Sequence, residues 1–143
     1  MTAKTLGVYE KVDFPHFNLK NVEAKIDTGA YTGALHCTKV IEEQTPEGLV
    51  IHYSPFDHPE IKITSKDFYI DTVKSSNGDK EARYYIKTAI VVQGETYEIF
   101  LTLADRSNMK LPVIIGKRFI GQHNFLVDVN KKPTKSNTDL GKG

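Results

Sequence analysis

The feature that most constrains the fold of this chain is a period of two in its apolar residues, which recurs while a helical period hardly appears. Two neighbouring segments, Tyr84–Val92 and Tyr97–Leu103, show it most clearly. Their inward candidates are Tyr84, Ile86, Thr88, Ile90 and Val92, followed by Tyr97, Ile99, Leu101 and Leu103. Side chains alternate sides along a strand, so both segments predict strands with one face in a core. Gln93-Gly94 lies between them, where a tight hairpin favours glycine.

The rest of the chain also divides into short strand candidates separated by turn-forming residues. The candidates are Val22–Ile26, Ala34–Glu42, Leu49–Tyr53, Ile61–Thr64, Val113–Ile115 and Phe125–Val129. Clusters such as Pro46-Glu47-Gly48 and Ser75-Ser76-Asn77-Gly78-Asp79 interrupt them. Many short strands with this punctuation predict an all-β barrel or sandwich, with a short helix near Lys117–Gly121. We expect one domain over residues 1–130 and a disordered polar tail over residues 131–143.

Composition and charge argue against several classes of function. The chain has 143 residues and a formal net charge of +1, so no strong attraction to nucleic acid or membrane is expected. It also lacks the basic stripe interleaved with aromatic residues that an oligonucleotide-binding barrel needs. The single cysteine, Cys37, excludes an intramolecular disulfide, and no apolar run has the length of a signal peptide or a membrane span. These observations predict a cytoplasmic protein without nucleic-acid or membrane partners.

One tetrapeptide, Asp27-Thr28-Gly29-Ala30, is the candidate catalytic motif of the chain. It follows directly on the strand candidate Val22–Ile26. It resembles the active-site loop of retropepsin-like aspartic proteases. The longer string from Lys25 to His36 is similar to a bacterial and archaeal family described as ATP-dependent zinc proteases. A second segment, Leu111–Phe119, is similar to the apolar–apolar–Gly–Arg segment that threads through the aspartate loop in retropepsins. The resemblance implies a small closed barrel of the retropepsin type.

The resemblance also implies a mechanism. Two close carboxylates that share one proton can activate a water molecule and protonate the leaving nitrogen of a peptide bond. Asp27 would be one of these carboxylates, with Thr28 bonding across to the partner loop and Gly29 offering a backbone amide. Because the chain contains one Asp-Thr-Gly, the second carboxylate would come from a second copy, so a homodimer is expected.

Substrate contacts are expected on both sides of the aspartate. Ala30 would lie beside the substrate, and Asn77-Gly78 would form the tip of a flap built from Tyr69–Tyr84. A plain solvent-facing hairpin is the alternative for that segment. Asp105-Arg106, just ahead of the second signature, is interpreted as a structural ion pair, with orientation of the substrate as the alternative.

Two positions depart from the family pattern, and the chain lacks motifs for zinc or ATP. Gly33 stands where serine is usual, and Lys117 stands where the arginine of the Gly-Arg pair is usual, with Arg118 next. Neither His-Glu-x-x-His nor a phosphate-binding loop occurs, and the five histidines lack ligand spacing. We therefore expect no cofactor and no metal.

Cys37 is interpreted as a small buried residue, with a thiol nucleophile as the less favoured alternative.

The leading hypothesis for function is an aspartic-type endopeptidase that hydrolyses a peptide or isopeptide bond in a peptide or protein substrate. A glutamate-rich substrate is a further hypothesis, because some members of the resembled family are associated with enzymes that process glutamate tails. The alternative is a catalytically inactive barrel that serves as a peptide-binding or dimerisation module, adding a peptide to an open strand edge.

Overall fold

A computed structural model of the chain describes residues 4–74 and 78–131, and its architecture is almost entirely β. The strands in these residues are β1 (Thr5–Leu6), β2 (Tyr9–Phe14), β3 (Leu19–Asp27), β4 (Gly33–His36), β5 (Val40–Thr45), β6 (Gly48–Tyr53), β7 (Ile63–Ser65), β8 (Phe68–Lys74), β9 (Lys80–Val92), β10 (Glu95–Ala104), β11 (Val113–Gly116) and β12 (Leu126–Val127). The same residues contain one α-helix, α1 (Lys117–Gln122), and 3-10 helices at Pro15–Phe17 and Pro55–Asp57.

Six of these strands close into a barrel. Their order is β10-β4-β11-β3-β2-β9, and β9 pairs with β10 to complete the ring. Strand β8 continues the sheet beyond β9, so β8 and β9 form a hairpin whose base belongs to the barrel. Strands β5, β6 and β7 form a separate sheet, and β1 pairs with β12. The predicted fold class, an all-β closed barrel with at most one short helix, is confirmed.

The barrel interior is filled by the apolar faces that the period of two predicts. On β9, the side chains of Ile86, Ile90 and Val92 are buried, and β10 contributes a second buried row. That row consists of Ile99, Leu101 and Leu103, and other fully buried side chains are Leu6, Val12, Phe14, Leu35, Ile51, Val113 and Ile115. Because burial of one such side chain contributes about 1.5–3 kcal/mol, this shared interior is the main source of stability.

The hairpin between β9 and β10 forms at the predicted dipeptide. Gln93 and Gly94 have φ values of 51° and 82°, so both central residues of the turn are left-handed. This combination is typical of a type I′ turn, whose twist matches that of the flanking strands. The turn places Val92 opposite Glu95 and thereby sets the register of the two longest barrel strands.

One predicted strand, Ala34–Glu42, is wrong, because the chain leaves the barrel within it. Strand β4 ends at His36, and β5 begins at Val40 in the separate sheet. Between them, Thr38 donates through its amide and its hydroxyl to Asp57 Oδ1, at 3.0 and 2.9 Å. These contacts turn the chain toward the 3-10 helix at Pro55–Asp57. An alternating pattern carries no signal for a change of sheet, so the sequence alone did not locate the break.

Strand β2 was absent from the strand candidates, and a buried carboxylate explains why. Its inward face consists of Glu10, Val12 and Phe14, and Glu10 is 1% exposed. Glu10 Oε2 accepts a hydrogen bond from Gly7 N at 2.8 Å, which meets part of the cost of burying the carboxylate. A charged residue on the inward face breaks the apolar alternation from which strands are predicted.

The predicted disordered tail falls almost wholly outside the described residues, which end at residue 131. Within the described ranges, no helix combines the length and the apolar character needed to cross a membrane.

Replacing Gly33 by alanine should destabilise the barrel. An added Cβ would lie 2.1 Å from Ile114 O, on the neighbouring strand β11, and 3.0 Å from Leu101 Cδ2. A backbone carbonyl cannot move aside without distorting the sheet, so we expect the free energy of unfolding in urea to fall by about 2–3 kcal/mol. The same contact with Ile114 O gives a physical reason for glycine at position 33 of this chain, where serine is usual in the resembled family.

Gly121→Ala is the matched control, because an added Cβ at this position in α1 meets nothing within 4 Å. Alanine also has a higher helix propensity than glycine, so this variant should be neutral or slightly more stable. Similar losses of stability in the two variants would contradict the role given to the contact with Ile114 O.

Candidate active site

Asp27 is the last residue of β3, at the end of the barrel where β3 and β11 finish together. The two strands run parallel, with Ile26 opposite Ile115 and Asp27 opposite Gly116. Ile26 and Ile115 are both buried in the core. Because successive side chains of a strand point to opposite faces, the Asp27 side chain points away from the core and is half-buried at the barrel surface.

The loop that follows β3 is braced by the backbone that follows β11. Lys117 N donates to Ala30 O at 2.8 Å, and Arg118 N donates to Tyr31 O at 2.9 Å. The two segments cross so closely that a Cβ on Gly116 would lie 2.4 Å from Tyr31 O. Glycine is therefore required at the crossing, and the apolar–apolar–Gly segment and the aspartate loop hold each other in place.

Hydrogen bonds within the loop orient the Asp27 carboxylate. Gly29 N donates to Asp27 Oδ1 at 2.9 Å, and Ala30 N donates to Asp27 O at 3.2 Å. Thr28 and Gly29 are exposed, and Ala30 is half-buried. The structure thus brings four of the predicted site residues together on one accessible loop, while their catalytic and binding roles stay predictions.

A cavity of about 160 Å³ opens beside Asp27 and is rich in cationic side chains. Its other lining residues are Lys25, Arg106, Lys110, Tyr9, Met109, Leu111 and Ile114. Burial lowers the pKa of Arg106, and the charge of Asp27 acts in the opposite direction. Three cationic side chains thus face one carboxylate, which favours the binding of an additional anionic group.

The connection between β10 and β11, residues 105–112, supplies half of the cavity lining. Arg106 Nε donates to Leu111 O at 3.0 Å, and Met109 N donates to Arg106 O at 2.9 Å. Asp105, the expected ion-pair partner of Arg106, instead accepts hydrogen bonds at Oδ1 from Ser107 N and Oγ, at 2.9 and 2.6 Å. Arg106 therefore closes its own loop and presents its side chain to the cavity.

His36 joins this connection to the 3-10 helix at Pro55–Asp57. Arg106 N donates to His36 Nδ1 at 2.8 Å, and His36 Nε2 lies 2.8 Å from Asp57 Oδ2. Since Nδ1 accepts a hydrogen bond, the ring proton is on Nε2 and is donated to Asp57. Burial alone would raise the pKa of Asp57, but the hydrogen bonds from Thr38 and the neighbouring His36 outweigh burial and lower that pKa below its ordinary value.

The hairpin of β8 and β9 occupies the segment in which a flap or a plain hairpin is predicted. Asn77, one of the two predicted tip residues, lies outside the described residues. Gly78, the other, is exposed and has a φ of 92°, a conformation that favours glycine. The substrate contacts of these two residues stay predictions. On the inner side of the hairpin, Tyr84 OH donates to Glu42 Oε2 on β5.

Arg118 connects the hairpin to the aspartate loop. Besides its backbone bond to that loop, its Nη1 donates to Tyr69 OH at 3.2 Å, and its guanidinium carbon lies 4.2 Å from the centre of the Phe100 ring. Tyr69 in turn stacks on Tyr85 with ring centroids 4.6 Å apart. The arginine next to Lys117, where the sequence departs from the family pattern, therefore braces the base of the hairpin.

Comparison with known proteins places the chain in a family. The family model named RimB-like, described as retropepsin-like aspartic endopeptidase RimB, matches residues 5–138. The chain belongs to the RimB-like family. The match covers the barrel, the aspartate loop and the segment that crosses it, so the resemblance seen in the Asp-Thr-Gly-Ala motif is confirmed.

Curated relatives of this RimB-like chain are longer proteins with a different description. It is 27% identical over 128 residues to proteins named probable alpha-L-glutamate ligase from Shewanella pealeana and from Shewanella halifaxensis. The aligned segment covers 86% of this chain and 28% of each relative. The chain thus spans little more than a quarter of the length of the relatives it matches.

A solved structure shares the fold of this RimB-like chain. It is the crystal structure of a protein of unknown function from Legionella pneumophila, with a TM-score of 0.74 and 22% identity. The superposition covers 93% of this chain and 98% of the other. At this level of identity the likeness concerns the fold alone.

The interpretation of Cys37 as a buried residue of the RimB-like barrel is confirmed. Its side chain is 5% exposed, and its Sγ donates to Lys39 O at 3.4 Å. Burial raises the pKa of the thiol, which disfavours the thiolate that a nucleophile needs. Across residues 4–74 and 78–131, no group of three or more His, Cys, Asp or Glu side chains is arranged to hold a metal ion.

The sequence did not identify the cationic lining of the RimB-like site or the link through His36. His36 and Arg106 are separated by 70 positions, and neither hydrophobic periodicity nor a short motif reports a contact at that distance. The sequence contains one indication of a cationic side chain beside the aspartate. Lys25 and Asp27 lie two residues apart on a strand and so share a face. The positions of Arg106 and Lys110 depend on the path of residues 105–112, which the sequence pattern does not specify.

Asp57 should contribute to stability in a pH-dependent way. In the folded chain its pKa is held below the ordinary value of 3.8, so its contribution is present above that value and is lost as the pH falls through the folded pKa. We expect Asp57→Asn to be less stable than the wild type at neutral pH. The difference in urea midpoint should shrink as the pH falls below about 4.

Asp67→Asn, which removes an exposed carboxylate, is the control for the change of charge. Its urea midpoint should track that of the wild type over the whole pH range. A difference between the wild type and Asp57→Asn that stays constant down to the lowest pH would contradict the proposed stabilisation of the ionised carboxylate.

Proposed function

We propose that this RimB-like chain is an aspartic-type peptidase in which two Asp27 carboxylates, one from each copy of a homodimer, activate water. The observation that carries the proposal is the aspartate loop, an accessible Asp-Thr-Gly in which Gly29 N orients the half-buried carboxylate and the segment after β11 braces the backbone. The description of the family as a retropepsin-like aspartic endopeptidase supports the same chemistry.

The hydrolysis depends on two carboxyl groups that share one proton, because two negative charges at hydrogen-bond distance repel each other. The ionised carboxylate accepts a proton from the attacking water as the water oxygen bonds to the carbonyl carbon. The protonated carboxyl group donates a hydrogen bond to the carbonyl oxygen and supplies the acid for the step. The carboxyl group that accepted the proton from water then donates a proton to the leaving nitrogen as the bond between nitrogen and carbon breaks, and the pair returns to its state with one shared proton.

A second copy is part of the proposal, because the chain contains a single Asp-Thr-Gly. Large exposed side chains near the aspartate support it: Tyr31 is 63% exposed, Met109 56% and Tyr9 44%. Aromatic residues and methionine are enriched at surfaces that a partner or a ligand covers. Thr28 is exposed beside Asp27, so its hydroxyl can bond to the loop of the second copy and hold the two carboxylates in one plane.

The cationic lining of the cavity beside Asp27 supports an acidic substrate. Lys25 and Lys110 add positive charge, and the guanidinium of Arg106 offers paired donors that match a carboxylate. The relatives named probable alpha-L-glutamate ligase are consistent with a substrate that carries glutamate. The bond cleaved would then be a peptide or isopeptide bond between glutamate residues.

Asp27→Asn should abolish hydrolysis and leave the fold intact, because the amide cannot accept a proton from water. Rates are measured on glutamate-rich peptides by mass spectrometry, and folding by urea denaturation. A sharper test mixes the wild type and the variant in equal amounts under conditions of subunit exchange. Random exchange places about half of the wild-type chains in mixed dimers, which lack the second Asp27. The measured activity should therefore fall to about half of that of the same amount of wild type alone.

Asp67→Asn is the chemically matched control. Because this variant should itself be active, mixing it with the wild type should leave the activity per chain unchanged. Activity that simply adds when wild type and Asp27→Asn are mixed would show that one Asp27 suffices and would overturn the shared pair. Full hydrolysis by Asp27→Asn alone would remove the aspartic mechanism. A wild type that binds the peptides without cleaving them, with binding unchanged in Asp27→Asn, would favour the non-catalytic binding module.

Peptides of glutamate should be better substrates than the same peptides with glutamine at every position. Glutamine keeps the size of the side chain and removes the charge, so the difference reports the cationic lining. We expect kcat/KM to differ about tenfold or more at low ionic strength and the difference to shrink as salt is added. Equal kcat/KM values for the two peptides would contradict the acidic-substrate part of the proposal.

A further inference from the structure

The two ends of the connection between β10 and β11 lie close together, and His36 is next to both of them. Its backbone amide donates to Pro112 O at 2.8 Å, at the far end of the connection. At the near end, the amide of the next residue, Cys37, donates to Ala104 O at 2.9 Å. Between these points the His36 ring accepts the hydrogen bond from Arg106 N at 2.8 Å. The adjacent residues His36 and Cys37 therefore hold both ends and the second residue of the connection.

The other side of the His36 ring is anchored by Asp57, which lies in a strained turn. Phe56 and Asp57 have φ values of 57° and 58°, a left-handed conformation that costs free energy for residues other than glycine. The turn is maintained by hydrogen bonds from Thr38 to Asp57 Oδ1, and it places Oδ2 at 2.8 Å from His36 Nε2. The turn thus places the Asp57 carboxylate where it holds the His36 ring through Nε2.

We propose that His36 is a positioning residue for substrate recognition: by holding the Arg106 backbone, it keeps the Arg106 guanidinium in the cavity beside Asp27, where a carboxylate of the substrate binds. The inference rests on the proposed function for the acidic character of the substrate. It assigns His36 no contact with the substrate and no part in proton transfer.

The hydrogen bonds of Arg106 show why His36 is the important anchor. Two of them stay within the connection, from Arg106 Nε to Leu111 O and from Met109 N to Arg106 O. These bonds hold the shape of the connection, and the backbone bonds to Pro112 and Ala104 hold its ends, but none of them ties Arg106 itself to the barrel. The bond from Arg106 N to His36 Nδ1 ties Arg106 to the barrel and so sets the position of the guanidinium relative to Asp27.

Two substitutions of His36 separate its two hydrogen bonds. The Oδ1 atom of asparagine lies as many bonds from Cβ as Nδ1 of histidine, so His36→Asn keeps an acceptor for Arg106 N and loses the bond to Asp57. The Nε2 atom of glutamine lies as many bonds from Cβ as Nε2 of histidine, so His36→Gln keeps a donor for Asp57 and loses the acceptor for Arg106. A purely structural role would make the two variants similar.

The experiment measures the Kd of a tetraglutamate peptide by calorimetry in the Asp27→Asn background, in which turnover is absent. His36→Gln should weaken binding about tenfold or more, as expected when a hydrogen-bonded charge is displaced, and His36→Asn should bind within a few-fold of the parent. His36→Gln should have little further effect once Arg106→Ala has been introduced, because its effect acts through Arg106.

His52→Gln is the matched control, since His52 is also held on both ring nitrogens, by Thr64 Oγ1 at 2.8 Å and by Glu43 Oε1 at 2.7 Å, but lies on the separate sheet. Its Kd should equal that of the parent, and urea denaturation of every variant separates loss of binding from loss of fold. Equal weakening by His36→Gln and His36→Asn, additive effects of His36→Gln and Arg106→Ala, or a parent that does not bind the peptide would each overturn the inference.

The two proposals fail in different ways. Hydrolysis of the peptide by the wild type, together with a His36→Gln variant that binds as the parent does, would leave the peptidase proposal standing without the positioning role. A wild type that never cleaves the peptide, but whose binding of it depends on Arg106 and on the His36 bond to Arg106, would overturn the peptidase proposal and leave the positioning role.

Discussion

The structure depends on one close crossing of backbones, at which Gly116 lies against the carbonyl oxygen of Tyr31. The contact leaves no room for a Cβ at position 116. The parallel pairing of β3 and β11 brings the two segments side by side, and the amides of Lys117 and Arg118 then satisfy the carbonyls of the aspartate loop. A carbonyl left unpaired at such a crossing would be costly, so these bonds hold the loop in one conformation. The crossing also couples the first half of the barrel to the last strand and to α1.

This crossing explains why an accessible loop can hold a carboxylate in a fixed orientation. Loops are ordinarily more mobile than the strands they connect. The Asp27 loop is short, lies at the end of two strands whose preceding residues are buried, and is bonded on its outer side to the start of α1. Its Gly29 amide can therefore act as a fixed donor to Asp27, as a preorganised site requires.

Outside the crossing, the regions around the site are tied to the barrel by side chains that are distant in sequence. Arg118 joins the aspartate loop to Tyr69 on the hairpin, and Tyr84 joins the same hairpin to the separate sheet. His36 joins the connection at Arg106 to the strained turn at Asp57. Each link is polar and half-buried or exposed, so its contribution to stability is modest, and its main effect is to restrict where the flanking segments lie.

The sequence by itself determined the parts of the protein that local chemistry controls. Alternating apolar residues on β9 and β10 predicted a barrel wall, Gln93-Gly94 predicted its turn, and Asp-Thr-Gly after a strand identified the aspartate loop together with its family. The same alternation wrongly predicts one strand across Cys37, and it does not predict β2, because Glu10 interrupts the apolar face of that strand.

Only the tertiary structure decided which side chains surround Asp27. Lys25 shares a strand with the aspartate, whereas Arg106 and Lys110 reach the cavity on a connection whose path is set by His36 and Asp57. The physical reason is that period and motif report the backbone geometry of neighbouring residues. A polar contact between residues tens of positions apart depends on how the barrel closes, and closure is a property of the whole chain.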